Sequence, residues 1–437
     1  MLRTARWALL VLLAALTGEV AAGRSWEYTT ASEIFGPRAI GDDVVFVESG
    51  EAGTRIVRLN AGTGRPVWSY AIEPGRRLLR LPTVDGQKIY LYSAAIENER
   101  DDGSAIETRL VTLDGGSGQV ASSLSLPTRD LVVHSPFVAN GRLYFATVPR
   151  DDNFYEPSRH PPGSFVACEL ASGRIVWKTA LPLRQARATD LQNLTLGSRS
   201  VNPWIARPTE MTADESRLYL GYPNGRLFGL DLRTGAIAWQ FRTRDRFLVS
   251  PVLQDGVLYF GSQDWNFYAV RAATGTLAWS AATGADVGHS APLFDRDQII
   301  VSSGEYQLLP ISSIVMFSNP DANDYADHST NSILALDLVS GNIRWRHDGA
   351  SVSYGPLLRN QRVVIFDARG LRTELDPDRG TVLREQALNM LLRGVTPVTG
   401  NRLVLQTSNI AFFRRGTHFR DLVTDGDIRD RLLGSDE

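Results

Sequence analysis

One phrase recurs along the chain with a fixed internal spacing. A turn ends in glycine, and four residues later stands a tryptophan: Gly64 and Trp68, Gly173 and Trp177, Gly235 and Trp239, Gly275 and Trp279, Gly341 and Trp345. Two more copies keep the turn and lose the ring, with Gly118 leading to Ser122 and Gly380 to Arg384. Self-similarity at a period of tens of residues is the signature of repeat architectures, and it must be settled before any domain count.

The phrase has a direct physical reading. Before the turn, a run read as alternating apolar and polar residues, such as Arg226-Leu227-Phe228-Gly229-Leu230, is expected to be a strand. In Asp231-Leu232-Arg233-Thr234-Gly235 the Asp and Thr oxygens cap local N–H groups and Gly takes the positive φ. The run Ala236 to Phe241 is then a second strand that carries the tryptophan. Each phrase is a β-hairpin. A second marker is independent of it: a proline preceding a turn and an apolar strand recurs at Pro37, Pro82, Pro136, Pro208, Pro251, Pro292, Pro356 and Pro397. That gives eight units, where the glycine phrase gives seven. The missing ring slot lies at the other end of the chain, since Ser25-Trp26-Glu27-Tyr28 matches Val67-Trp68-Ser69-Tyr70. A repeat shared between the termini implies a closed ring. The expectation is an all-β, eight-bladed β-propeller of four-stranded blades, A to D, over residues 23–415. Its last blade takes A, B and C from 391–415 and D from the strand around Trp26.

Composition adds exclusions. Lys and Arg number 46 against 48 Asp and Glu, so there is no global basic field for nucleic acid. Residues 1–22 read as an export signal: Arg3 and Arg6, the apolar run Trp7 to Leu16, then Val20-Ala21-Ala22. That run is about half of the roughly 20 residues a bilayer span needs. The single cysteine, Cys168, is far from the signal and cannot serve as a lipid-bearing first residue. The protein is expected to be exported, periplasmic or secreted, without a lipid anchor or transmembrane segment, and monomeric. Residues 416–437 are expected to form a tail with one or two helical turns.

The repeated phrase resembles the tryptophan-docking repeat of the quinoprotein-like, or PQQ-like, β-propellers, and the resemblance covers nearly all of 26–415. It implies that Trp26, Trp68, Trp177, Trp239, Trp279 and Trp345 pack between neighbouring blades. The family includes pyrroloquinoline-quinone (PQQ) alcohol and aldose dehydrogenases. It also includes non-catalytic members, among them an eight-bladed lipoprotein of the bacterial outer-membrane β-barrel assembly machinery. Blade count and size match the second group better, although the lipid-bearing cysteine is missing. One cysteine also cannot form the vicinal pair found over the quinone in the dehydrogenases. No Asp-x-Asp-x-Asp-Gly loop, His-Glu-x-x-His or Gly-x-Ser-x-Gly is present. No catalytic residue, metal site or cofactor is expected; PQQ and calcium belong only to the alternative, a quinone-dependent alcohol or sugar dehydrogenase.

Strand topology places A–B and C–D turns on one face of the ring and B–C and D–A loops on the other. The long segments 94–104, 148–163, 182–206 and 304–330 all belong to the second face. Long loops on a rigid scaffold carry function more often than short ones. Their aromatic and basic residues, Tyr155, Arg159, His160, Trp204, Tyr306 and Tyr325, together with Trp265 in a short turn, are the expected binding residues for protein or peptide partners in the cell envelope.

Overall fold

The computed structural model describes residues 24–435 except 31, 51, 97–104, 129, 133–134, 149–162, 181–210, 223–224, 246–249, 288–290, 305–331, 350–353, 368–369, 389–391, 399–401 and 409–429. Residues 1–22, expected to be an export signal, lie outside the described residues. What is described is all β, in eight antiparallel sheets. Seven are sequential: sheet 1 (33–71), sheet 2 (76–125), sheet 3 (131–180), sheet 4 (212–242), sheet 5 (252–282), sheet 6 (293–348) and sheet 7 (354–387). In each, the strands lie in chain order A to D.

Hairpin chemistry sets this order. The A–B connections of sheets 3, 5 and 7 are two-residue turns with both φ positive: Asn140 and Gly141, Asp255 and Gly256, Asn360 and Gln361. Such turns match the twist of antiparallel strands. Proline shapes the A strands. It has no N–H to give the ladder, so Pro82 and Pro136 each split an A strand into two pieces, Arg76–Leu78 with Thr83–Asp85, and Leu131–Val132 with Phe137–Ala139.

Eight apolar clusters hold the sheets together, each made by two consecutive sheets. Alternate residues of one strand point to opposite neighbours: Tyr219 packs toward sheet 5, and Leu218 and Leu220 toward sheet 3. The circuit closes because Trp26, Val398 and Val404 of sheet 8 pack with Ile34, Val44 and Phe46 of sheet 1. The A strands of neighbouring sheets touch one another and so lie innermost. There Thr83 Oγ1 donates to Pro136 O at 2.6 Å and Thr396 Oγ1 to Pro37 O at 3.2 Å. The fold is a β-propeller.

Sheet 8 corrects one expectation. Its A and B strands are Leu392–Val398 and Arg402–Ser408, and its D strand is Arg24–Thr29, as the split repeat implies. Its C strand is Asp430–Ser435, not a segment inside 391–415. The end of the expected tail is therefore a strand, not helical turns. Asp430–Ser435 pairs on one side with Arg402–Ser408 and on the other with Arg24–Thr29. Two ladders satisfy its backbone, and that tertiary gain overrides a weak local preference.

The tryptophan phrase is a joint between sheets. Each indole of a D strand lies on the C–D turn of the next sheet and donates its Nε1–H to a turn carbonyl. The pairs are Trp26 to Ala61 (2.8 Å), Trp68 to Gly115 (2.8 Å), Trp177 to Leu232 (3.0 Å), Trp239 to Ala272 (2.9 Å), Trp279 to Leu338 (3.2 Å) and Trp345 to Pro377 (2.8 Å). The glycine of the receiving turn is needed twice over. At Gly235 φ is +72°, and a Cβ there would meet the Trp177 ring at 2.4 Å. In all seven sequential sheets the D strand begins with a register shift two residues after that glycine. This bulge turns the following residues so that the indole faces the neighbouring sheet.

Candidate functional site

The strands that flank the four long segments place both ends of each on the B–C/D–A face, as expected. Tyr155, Arg159, His160, Trp204, Tyr306 and Tyr325 lie outside the described residues. Trp265 is described, and its geometry is unusual.

Trp265 sits in the B–C turn of sheet 5, between Val257–Gly261 and Asn266–Arg271. Its side chain is 57% exposed and its φ is +68°. The matching turn positions in sheets 4 and 7 are glycines, Gly225 with φ +77° and Gly370 with φ +84°. The equivalence is set by hydrogen bonding. Thr243 N donates to Gly225 O at 2.8 Å, Leu388 N to Gly370 O at 2.8 Å, and Thr283 N to Trp265 O at 2.9 Å. A left-handed backbone costs an L-residue roughly 1–2 kcal/mol, and for an aromatic residue it is a true outlier. At Gly225 a Cβ would meet Asp245 O at 2.4 Å, whereas the sheet 5 turn has room for one. Sheet 5 therefore holds an exposed indole in a conformation its sister sheets give to glycine.

The surroundings hold that indole in place. Ser262 N donates to Asn266 O at 3.0 Å across the turn. Thr283 Oγ1 lies 2.9 Å from Trp265 O and 2.9 Å from Ala285 O. Asp264 fastens the turn from below: it accepts from Tyr268 Oη at 2.7 Å, from Arg244 N at 2.9 Å and from Asn266 N at 3.2 Å. Burial and this carboxylate push the Tyr268 phenol well above its usual range. Beside the indole, burial raises the Asp286 carboxyl, against hydrogen bonds from Trp265 and Gln263 that lower it; the Asp245 charge raises it further. Gln263 Nε2 stands 3.5 Å from Asp286 Oδ2.

The arrangement presents an aromatic anchor with a polar rim. Exposed large aromatics on rigid turns are typical anchors of interfaces. Among the described residues no group of three or more His, Cys, Asp and Glu side chains stands together as a metal-binding cluster. Cys168 is buried in the strand Ser164–Glu169, and burial pushes its thiol up to about 11, which makes it inert. Reading residues one at a time did not single out Thr283, Gln263 and Asp286. The signal was available in the repeats: superposing the B–C turns puts Trp265 where Gly225 and Gly370 stand.

Fold and joints together define a PQQ-like β-propeller whose sheets are docked by tryptophan. Within that class the chain belongs to the family described as outer membrane protein assembly factor BamB, whose model matches residues 8–196, 104–311 and 224–410. A curated relative of that name from Yersinia pestis is 25% identical over 270 residues, 55% of this chain and 65% of the relative. One from Bordetella pertussis is 24% identical over 203 residues, 46% of this chain and 41% of the relative. The aligned region thus spans less than two thirds of either relative. Among solved structures, BamB from Moraxella catarrhalis aligns with a TM-score of 0.53 at 15% identity, covering 94% of this chain and 98% of that one. A quinohemoprotein alcohol dehydrogenase from Comamonas testosteroni aligns with a TM-score of 0.52 at 12% identity, covering 94% and 76%. At such identities these two likenesses establish the fold alone.

Proposed function

We propose that this protein is a non-catalytic, exported scaffold of the cell envelope that takes part in outer membrane protein assembly. It binds protein partners through the B–C/D–A face of its ring, with Trp265 as an anchor. Family membership supports the assembly role. The observation that carries the site is the exposed indole held at φ +68° where sister sheets use glycine. Backbone strain persists where something other than stability maintains it.

Trp265→Gly separates the two demands on this residue. The glycine removes both the strain and the indole, so the unfolding free energy should hold or rise by about 1 kcal/mol. Partner capture should fall by at least about tenfold, as for a truncated interface anchor. Capture is read with a photo-crosslinker at Gln263 in intact envelopes, comparing crosslinked proteins with and without Trp265→Gly. Undiminished crosslinking in the variant would sink the site. Saturable binding of PQQ with calcium, accompanied by dye reduction with an alcohol or sugar, would sink the scaffold reading and favour a dehydrogenase.

A further inference from the structure

The seam between sheets 2 and 3 keeps the parts that receive an indole but has no indole of its own. Its turn is formed like the others: Gly173 has φ +71°, and its N–H donates to Glu169 O at 2.8 Å, as Gly235 N–H does to Asp231 O at 2.8 Å in sheet 4. In the six docked seams the acceptor is the carbonyl three residues before the turn glycine, from Ala61 before Gly64 to Pro377 before Gly380. The matching carbonyl here is that of Leu170, and the slot residue is Ser122, too short to carry a donor to it. The strand that holds the slot, Val120–Ser125, is an outer strand, and Val120, Ser122 and Ser123 are exposed on it.

Beside the slot lies a polar group that a packed seam does not need. Thr112 is the cross-strand partner of Ser122, on the strand face it shares with Leu110, which packs toward sheet 3. In four docked seams this position is Ala167, Gly229, Ala269 or Ala335, opposite Trp177, Trp239, Trp279 and Trp345. The ring lies over it there: a Cβ on Gly229 would meet Trp239 Cε2 at 2.4 Å. Thr112 is only 5% exposed, and its Oγ1 is buried with no hydrogen-bond partner. The one other buried hydroxyl of this kind among the described residues, Tyr92 Oη, belongs to the same seam. Leaving such groups unpaired is costly. A longer side chain at this position does not exclude a ring, because Arg58 stands opposite Trp68, and its Nη1 joins the indole on Gly115 O at 2.6 Å.

We propose that this seam is a binding site for the indole side chain of a tryptophan in a partner polypeptide. The partner's ring takes the place that the chain's own rings take in the six docked seams. It stacks on Gly173, donates its N–H to Leu170 O and displaces the flexible end of Leu124. The Thr112 hydroxyl pairs with a polar group of the incoming residue, which Leu124 cannot offer. The docked seams argue for indole, since all six give this combination of turn glycine and carbonyl to tryptophan. The exposed outer strand argues for a side chain, because a slot open along an edge admits a ring while the backbone that carries it stays outside. The site lies at the A–B/C–D end of the ring, away from Trp265, and does not depend on it.

The test titrates the full chain with N-acetyl-tryptophanamide and follows backbone amide shifts by NMR. Saturable shifts should centre on Ser123 and Gly173. Ser122→Trp seats a ring in the slot from within, so it should weaken binding at least about tenfold while the urea midpoint holds or rises. Thr112→Val removes an orphaned hydroxyl from the free protein and a hydrogen bond from the complex. It should raise the urea midpoint and yet weaken binding by about fivefold, a split that a packing role alone does not produce. The probe methylated on its indole nitrogen cannot donate to Leu170 O and should bind about fivefold more weakly. Absence of saturable binding, shifts centred on another seam, or undiminished binding by Ser122→Trp each overturns the proposal. Binding of free indole but not of the capped amide assigns the seat to a small molecule and overturns it. Self-association of the full chain that Ser122→Trp abolishes assigns the seat to a second copy and overturns it too. Trp265→Gly should leave every readout unchanged, so failure here is distinct from failure of the site around Trp265.

Discussion

Six seams of the ring are closed by an indole on a turn, and two are not. Between sheets 2 and 3 the slot residue is Ser122, and Leu124 covers the receiving Gly173 in place of a ring: a Cβ on that glycine would meet Leu124 Cδ1 at 2.9 Å. Between sheets 7 and 8 the slot residue is Arg384, and here there is no turn to receive anything. The C and D strands of sheet 8 are Asp430–Ser435 and Arg24–Thr29, opposite ends of the chain. An ion cluster stands in its place. The buried Glu374 carboxylate pairs with Arg372 at 3.0 Å, with Arg362, and with Arg384 at 3.9 Å. The two outer strands without tryptophan, Val120–Ser125 and Val382–Ala387, are also the two with five of six residues exposed. The contrast shows that the tryptophan repeat needs a turn as well as a ring, and that the break at Arg384 follows from how the ring is closed.

The sharpest way to break this comparison is to remove one joint. Trp177→Ala should cost about 3–5 kcal/mol, as for a buried aromatic truncated in a core, read from urea unfolding. Arg142 Nη1 also donates to the Leu232 carbonyl at 2.9 Å, so that acceptor keeps a partner and the loss is mainly apolar contact. Next in size is the glycine beneath the ring. Gly235→Ala places a methyl 2.4 Å from the Trp177 ring at φ +72°, and overpacking with backbone strain should cost about 2–4 kcal/mol. Gly173→Ala meets only the end of the flexible Leu124 and should cost no more than about half of that. Equal losses at 173 and 235 would show that the turn conformation alone, and not the ring on it, sets the demand for glycine.

Adding a ring tests the same point from the other side. Ser122→Trp has a turn to land on and should gain on the order of 1 kcal/mol from apolar burial. Arg384→Trp has none and should gain nothing, as a shift in the urea midpoint will show. Stabilisation by Arg384→Trp would mean that something other than the missing turn excludes tryptophan there.

These features were unevenly legible in the sequence. The joints were plain, because Gly and Trp at fixed spacing leave little freedom of interpretation, and Trp26 without a preceding turn gave the closure. The strand Asp430–Ser435 was not. Asp-Arg-Leu-Leu-Gly-Ser has too short a pattern to choose helix or strand, and its two neighbours come from residues 24–29 and 402–408, far away in sequence. At the candidate site the sequence marks Trp265 as an aromatic in a turn. Its positive φ, and the threonine that pins its carbonyl, are facts of packing that no single turn sequence displays.

The smallest expected effect lies within the docked seams and concerns pH. The sheet 4 turn is organised by Asp231, whose Oδ1 accepts from Thr234 Oγ1 and N at 2.7 Å each and from Arg233 N at 3.0 Å. The Thr234 hydroxyl first, then the backbone N–H groups, hold this carboxyl below its usual value of 3.8. The sheet 5 turn has Arg271 in the same place and no such carboxyl. A group depressed in the folded state is the more protonated one in the unfolded state, so its contribution is complete above the unfolded value and fades as pH falls through the folded one. Below pH about 4, amide exchange should quicken in the Trp177 seam before it does in the Trp239 seam. Asp231→Asn keeps an acceptor but cannot titrate, and it should bring the two seams into step. If the two seams loosen together in the wild-type protein, the turn carboxylate adds nothing to the joint, and its strength resides in the ring and the glycine alone.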